Sequence, residues 1–257
     1  MWGSGGVTNP MTTHADAHFS SADFSALAAS RRSTRAYTDQ QIPQDILDAI
    51  LKDATTAPSW SNTRAFRVAL ATGERADRLR EEYVRRFNQT LDIQHHKRFA
   101  TIKTALKREL PDGDFPVWKP YPKELRAPQV EVAKLVYGAY GVERRDYEGR
   151  DNANRRNVSA FNAPVMGFVF VHENMLPWSA MDAGLMLQTL FLSAKAHGVD
   201  SCAIGVLSAW RGPVEQEFEI PQHYKLITGF CLGYADTEAL INQVNAPRPP
   251  IQLLEGK

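Results

Sequence analysis

Five consecutive residues, Arg31-Arg32-Ser33-Thr34-Arg35, put guanidinium groups and hydroxyls side by side just ahead of a turn. Guanidinium forks match phosphate oxygens in pairs, and hydroxyls add neutral donors. The stretch therefore reads either as a phosphate or anion site or as a solvated basic patch before a helix. A second polar cluster is Ala57-Pro58-Ser59-Trp60-Ser61-Asn62. Its Ser and Asn side chains either cap local backbone, as in any turn, or offer an amide to a flat heterocycle. The third candidate is Ser201 to Leu207, a strand that stops at Gly205. Glycine there lets backbone approach a ligand closely, and ligands favour the carboxyl edge of strands in open sheets. No Ser/His/Asp set is evident. His95 and His96 are adjacent rather than at i, i+4, so a helical metal pair is not expected.

The elements that must position these groups follow from periodicity. Residues 22–29 read as a short helix. Ile46, Leu47, Ile50, Leu51 and Ala54 form one apolar stripe on a helix opened by Pro43 and closed before Pro58. Phe66 to Thr72 reads as a strand with Phe66, Val68 and Leu70 on one face. Residues 74–87 read as a charged helix. From about 88 to 162 periodicity is lost, and the stretch mixes Phe99, Trp118, Tyr121, Tyr137, Tyr140, Tyr147 and Phe161 with many cations. It reads as an insertion of short helices and loops that packs over something. Val165 to Val171 has the continuous apolar character of a strand buried on both faces. Trp178 to His197 reads as a long helix, apolar nearly all round, that stops at Gly198. Val199 to Ile204, Pro213 to Phe218 and Lys225 to Tyr234 read as strand, short helix and strand, and the tail from Gln243 as extended. This order predicts a layered α/β or α+β domain with helices on both faces of one sheet.

Lys and Arg number 30 against 29 Asp and Glu, a formal net charge of +1, which disfavours a nucleic-acid-binding module. No apolar stretch reaches the ~18 residues of a membrane helix. Residues 1–20 lack a signal-peptide hydrophobic region and read as a flexible tail; Met1 to Gly6 look like a cloning remnant and Met11 like a natural start. Residues 21–257 then form a single domain. Cys202 and Cys231 sit in apolar runs without metal-ligand spacing, so buried free thiols and a reducing cytoplasm are expected.

Taken together, the motifs resemble the FMN-dependent nitroreductase family. Arg31-Arg32-Ser33-Thr34-Arg35-Ala36-Tyr37, Pro43 and Ala57-Pro58-Ser59-Trp60-Ser61-Asn62 are similar to its N-terminal signature. Asp182-Ala183-Gly184 with Gln188-Thr189-Leu190 resembles its central helix; Ile220-Pro221, Gly229, Leu232-Gly233-Tyr234 and Arg248 resemble its C-terminal elements. The resemblance covers about residues 25–87 and 160–250. The Pro58-Ser59-Trp60 variant and the long insertion with Tyr121-Pro122 look most like the nitrobenzoate-reductase branch.

That resemblance implies a central mixed sheet flanked by helices, a helical lid insertion, and a homodimer with exchanged C-terminal tails and active sites at the subunit interface. It assigns the FMN phosphate to Arg31, Ser33 and Arg248, with Arg32 and Thr34 in the same segment. It puts Arg35 near the flavin pyrimidine, where a fixed cation stabilises negative charge arriving on reduction. Pro58, Ser59, Trp60 and Asn62 are expected around the isoalloxazine or ribityl chain. Gly205 and Val206 are expected at flavin N5 through backbone N–H groups, with Ile204 beside them at the cofactor, so no catalytic side chain is required. Phe99, Lys103, Trp118, Tyr121 and Phe161 are lid or substrate candidates, with Lys103 and Lys107 placed to meet an NADPH phosphate. Many relatives carry Lys two residues before the C-terminal arginine, and Ala246 stands there instead. The implied reaction is ping-pong: hydride from NADPH or NADH to N5, then two-electron reduction of a nitroaromatic compound to nitroso and hydroxylamine products. Quinone or free-flavin reduction, reductive dehalogenation and non-catalytic flavin binding are alternatives on the same scaffold.

Overall fold

The computed structural model describes residues 20–94 and 110–256. Four strands form one sheet in the order β1-β2-β4-β3: β1 (Phe66–Thr72), β2 (Val165–His172), β3 (Asp200–Ile204) and β4 (Tyr224–Gly233). Every pairing between them is antiparallel. The parallel component of the expected mixed sheet is one isolated bridge, Ser33 to Ser201, on the outer edge of β3.

Alternation along β2 divides the core. Met166, Phe168 and Phe170 face one layer, and Val165, Val169 and Val171 face the other, as a strand's period of two requires. The second layer is made by α2 (Gln44–Ala54) and α6 (Trp178–Ala196), which also carry Phe66, Val68 and Leu70 of β1 at their margin. The first layer is made by α3 (Gly73–Gln94), which runs seven residues past the stretch its charge pattern indicates. Its buried residues Ala76, Leu79, Tyr83, Phe87 and Leu91 recur every three or four positions. Ion pairs one turn apart brace the helix, Arg80–Asp77 at 2.5 Å and, with the buried Arg86, Arg86–Glu82 at 2.8 Å.

The remaining helices are α1 (Ser21–Ser30), α4 (Arg126–Ala139), α5 (Tyr147–Val158) and α7 (Gly212–Glu217). The insertion is thus more regular than its composition indicates: α4 and α5 are full helices, and α5 packs on α3. Both cysteines are buried free thiols, directly paired across β3 and β4. Among the described residues no helix is long and apolar enough to cross a membrane.

The long α6 is buried along one side. Leu190 and Ala194 are fully buried, whereas Trp178, Met181 and Leu185 are exposed on this chain. Only one side of the helix meets the sheet.

Gly167 on β2 faces Phe230 on β4, and a Cβ at 167 would stand 2.2 Å from the ring carbon Cζ. Phe230 is fully buried and cannot swing away. Gly167→Ala should therefore lower stability by about 1–3 kcal/mol in urea unfolding, the usual range for overpacking. Adding Phe230→Leu should restore part of that loss.

Candidate functional site

The basic stretch follows α1 and lies along the sheet edge. The Thr34 N–H donates to the Ser201 carbonyl at 3.0 Å and the Thr38 N–H to the Tyr234 carbonyl at 2.9 Å. Asn242 completes the hold from the other side. Its Oδ1 accepts the N–H groups of Arg35 and Ala36 at 2.8 and 3.2 Å, and its Nδ2 donates to the carbonyls of Ala36 and Asp236 at 2.7 and 2.8 Å. The side chain is 3% exposed, so it spends all four bonds on backbone.

This hold presents cations. Arg248 Nη2 donates to the Arg31 carbonyl at 2.7 Å, which brings the C-terminal tail onto the stretch. Burial, and after it the charge of Arg248, lower the Arg31 pKa. Arg35 donates to the Ser33 carbonyl at 3.3 Å. Among the described residues none of Arg31, Arg32, Arg35 and Arg248 pairs with a carboxylate. Arg32 is exposed, and Thr34 turns inward, its side chain 1% exposed. Thr34 accordingly supports the segment through its backbone: its carbonyl also accepts from the Tyr37 hydroxyl at 2.9 Å.

Beside this edge is a cavity of about 600 Å³. Arg35 and the β3 end, Cys202 to Gly205, form one wall; α4 and α5 form the other. Tyr121 and Phe161 line it, as expected for substrate-facing aromatics, and so do Tyr137 and Tyr140. Trp118 does not: it stands edge-on to Trp210 at 5.6 Å and faces a separate cavity of about 310 Å³ behind Val206. Burial raises the Cys202 pKa and so disfavours the thiolate, opposed by the nearby Arg35 charge. Phe99, Lys103, Lys107, His95 and His96 lie outside the described residues.

The turn Pro58–Asn62 is placed elsewhere. The Trp60 N–H donates to both carboxylate oxygens of buried Asp182 on α6, at 3.0 and 3.2 Å, and its ring stacks on Trp178 at 4.6 Å. Ser59 Oγ accepts the Arg64 N–H at 3.1 Å. Pro58, Trp60 and Asn62 are exposed, and none of the turn lines the cavity. Within one chain the two signature segments are thus separated, one beside α6 and the other at the β3 edge.

The architecture and these segments now have a counterpart among known proteins: residues 28–234 match the nitroreductase family. The chain belongs to that family. It is 31% identical over 229 residues to a 4-nitrobenzoate reductase of Nocardioides sp. (strain LMS-CY), covering 89% of this chain and 87% of the relative. It is 29% identical to a 4-nitrobenzoate reductase of Pseudomonas putida, covering 90% and 93%. The crystal structure of the FMN-dependent nitroreductase NfnB from Mycobacterium smegmatis in complex with NADPH superposes with a TM-score of 0.75 at 27% identity, covering 88% and 94%.

Sequence reasoning missed Asn157 and Asn242. Asn157 lines the cavity with no side-chain hydrogen bond among the described residues. Its only sequence signal is its place next to Val158 at the end of an otherwise charged helix. Asn242 has no motif at all, because three of its four bonds go to backbone groups more than 200 positions away. Asn242→Ala should cost about 2–4 kcal/mol in chemical denaturation, four bonds at roughly 0.5–1.5 kcal/mol each less relaxation. A loss below about 1 kcal/mol would show that the basic stretch holds itself.

Proposed function

We propose that this nitroreductase-family chain is an FMN-dependent NAD(P)H oxidoreductase that reduces nitroaromatic compounds. The carrying observation is a set of guanidinium groups without acid partners among the described residues, one of which, Arg35, lines a cavity of about 600 Å³. Arg31, Ser33 and Arg248, with Arg32 beside them, fit a phosphate: like charges brought together unpaired are stabilised by a dianion between them. Arg35 lies inside the cavity, where a fixed cation suits the electron-rich pyrimidine edge. The unpaired Asn157 amide offers that ring both a donor and an acceptor. Gly205 lines the cavity with nothing within 4 Å of where a side chain would be, so a ligand has room to approach the backbone there.

Bound FMN would supply a hydride acceptor and donor at N5, and the nicotinamide and nitro compounds then use the same space in turn, a ping-pong pattern. The chain's own part is to orient the ring, fix positive charge beside it and exclude water with α4 and α5. Tyr121 and Phe161 give flat walls for a planar substrate. The relatives named as nitrobenzoate reductases support a nitroaromatic substrate, and the NADPH complex of NfnB supports NADPH as donor.

The functional unit in this reading is a homodimer. Pro58, Ser59, Trp60 and Asn62 reach the flavin of a second copy, which reconciles their distance from the cavity of their own chain. The exposed Trp178, Met181 and Leu185 of α6, and Ile251, Leu253 and Leu254 of the tail, give that copy an apolar surface to cover. Residues 21–257 act as one domain, with the lid insertion at about 88–162. Two buried free thiols fit a cytoplasmic setting.

An anaerobic absorbance titration tests the reading. The protein loaded with FMN should bleach with NADPH or NADH and regain its oxidised bands when a nitrobenzoate is added. A protein that takes up no FMN, or whose flavin is not bleached, overturns it. Arg31→Ala and Arg248→Ala should each weaken FMN binding about ten- to hundredfold, the value of one charge-assisted contact. Met181→Asp should shift sedimentation toward the monomer and lower FMN uptake together. A monomeric variant with full FMN affinity would show that one chain completes the site.

A further inference from the structure

The turn that follows β3, Gly205–Ala209, meets the cavity at Gly205 and is tied down behind it. The Ser208 hydroxyl donates to the Gly205 carbonyl at 2.8 Å. The Tyr83 hydroxyl, on fully buried Tyr83 of α3, stands 2.7 Å from the Leu207 carbonyl and 2.8 Å from that of Trp210, so one proton is shared between two acceptors. The Gly113 N–H donates to the Ala209 carbonyl at 3.0 Å. Asp112 then accepts the N–H groups of Arg211 and Gly212 at 2.7 and 3.2 Å.

Two of these restraints come from the insertion itself. At Gly113 the approach leaves no room for a side chain: a Cβ would lie 2.0 Å from the Ser208 carbonyl oxygen. The far end of the turn is therefore fixed by the base of the lid, and its middle by a tyrosine on the neighbouring helix. None of these groups lines the main cavity. They act on a site only through the direction of the backbone they hold.

We propose that Tyr83 and the Asp112–Gly113 corner are positioning residues that aim the Gly205 and Val206 N–H groups at the hydride-accepting edge of the flavin. The inference rests on the flavin reading above and assigns it a support that no motif marks. It also makes the lid base and the hydride-accepting end one mechanical unit, so strain in the lid reaches the donors directly.

The test uses the FMN-loaded enzyme with ¹⁵N-labelled flavin. Gly113→Ala should displace the turn, and Tyr83→Phe should loosen it while keeping the ring's packing. Each should move the flavin N5 resonance while leaving the phosphate ³¹P resonance in place. Each should also slow the reductive half-reaction about tenfold, as small misplacements of reacting groups do, with FMN affinity unchanged. Should Gly113→Ala fail to fold, Tyr83→Phe carries the test alone. Wild-type N5 resonances and rates in the variants overturn the proposal. So does a parallel shift at nitrogen and phosphorus with weakened FMN binding, which marks a general structural role. A wild-type protein that takes up no FMN fails the flavin reading first, and the proposal falls with it.

Discussion

Like charges gather on a folded chain only where the backbone beneath them is held by something other than charge. Here that hold is the Asn242 amide together with the bonds from Thr34 to Ser201 and from Thr38 to Tyr234. Buried amide bonds to backbone are insensitive to what the side chains above them carry. Arg31 and Arg248 can therefore stand close, each lacking an acid partner among the described residues, without opening the edge they sit on. The segment also covers β3, whose outer N–H and C=O groups would otherwise form an exposed sheet edge. Edge protection and charge presentation are one arrangement, which ties the cation cluster to the integrity of the sheet.

The rest of the molecule follows from the two-sidedness of that sheet. Small and large residues alternate along β2, with Gly167 admitting the Phe230 ring and Phe168 packing near Tyr83. One layer, α3 with α5, supports the cavity and the turn after β3. The other, α2 with α6, carries the Pro58–Asn62 turn and keeps an apolar side uncovered. A single chain thus carries its two signature segments on opposite layers of the sheet.

Much of this was legible in the residues. Strand β1 was readable to its ends from alternation, and β2 from its unbroken apolar run, because local sequence controls both patterns. The helix α2 was readable from its stripe and from the prolines on either side. The arginine motif and Gly205 were legible as candidates, and of the motif Arg35 lines the same cavity as Gly205. The Pro58–Asn62 turn was equally legible, but no local signal says which layer it joins; Asp182, 122 positions away, decides that through the Trp60 N–H. The insertion was legible only as short helices and loops without bounds, because α4 and α5 bury little and so have no clean stripe to read. Asn242 was invisible for a related reason. A residue whose whole role is to satisfy distant backbone groups leaves no pattern in its own neighbourhood.

The stacked indoles of Trp60 and Trp178 have a use of their own. Of the five tryptophans in the chain, these are the pair whose rings lie 4.6 Å apart and 21° from parallel. Transition dipoles at such range couple, so the pair carries its own circular-dichroism signature in the ultraviolet, distinct from that of an isolated indole. The signature originates where the turn meets α6, on the side away from the cavity. It offers an intrinsic optical label for that surface, readable without a dye.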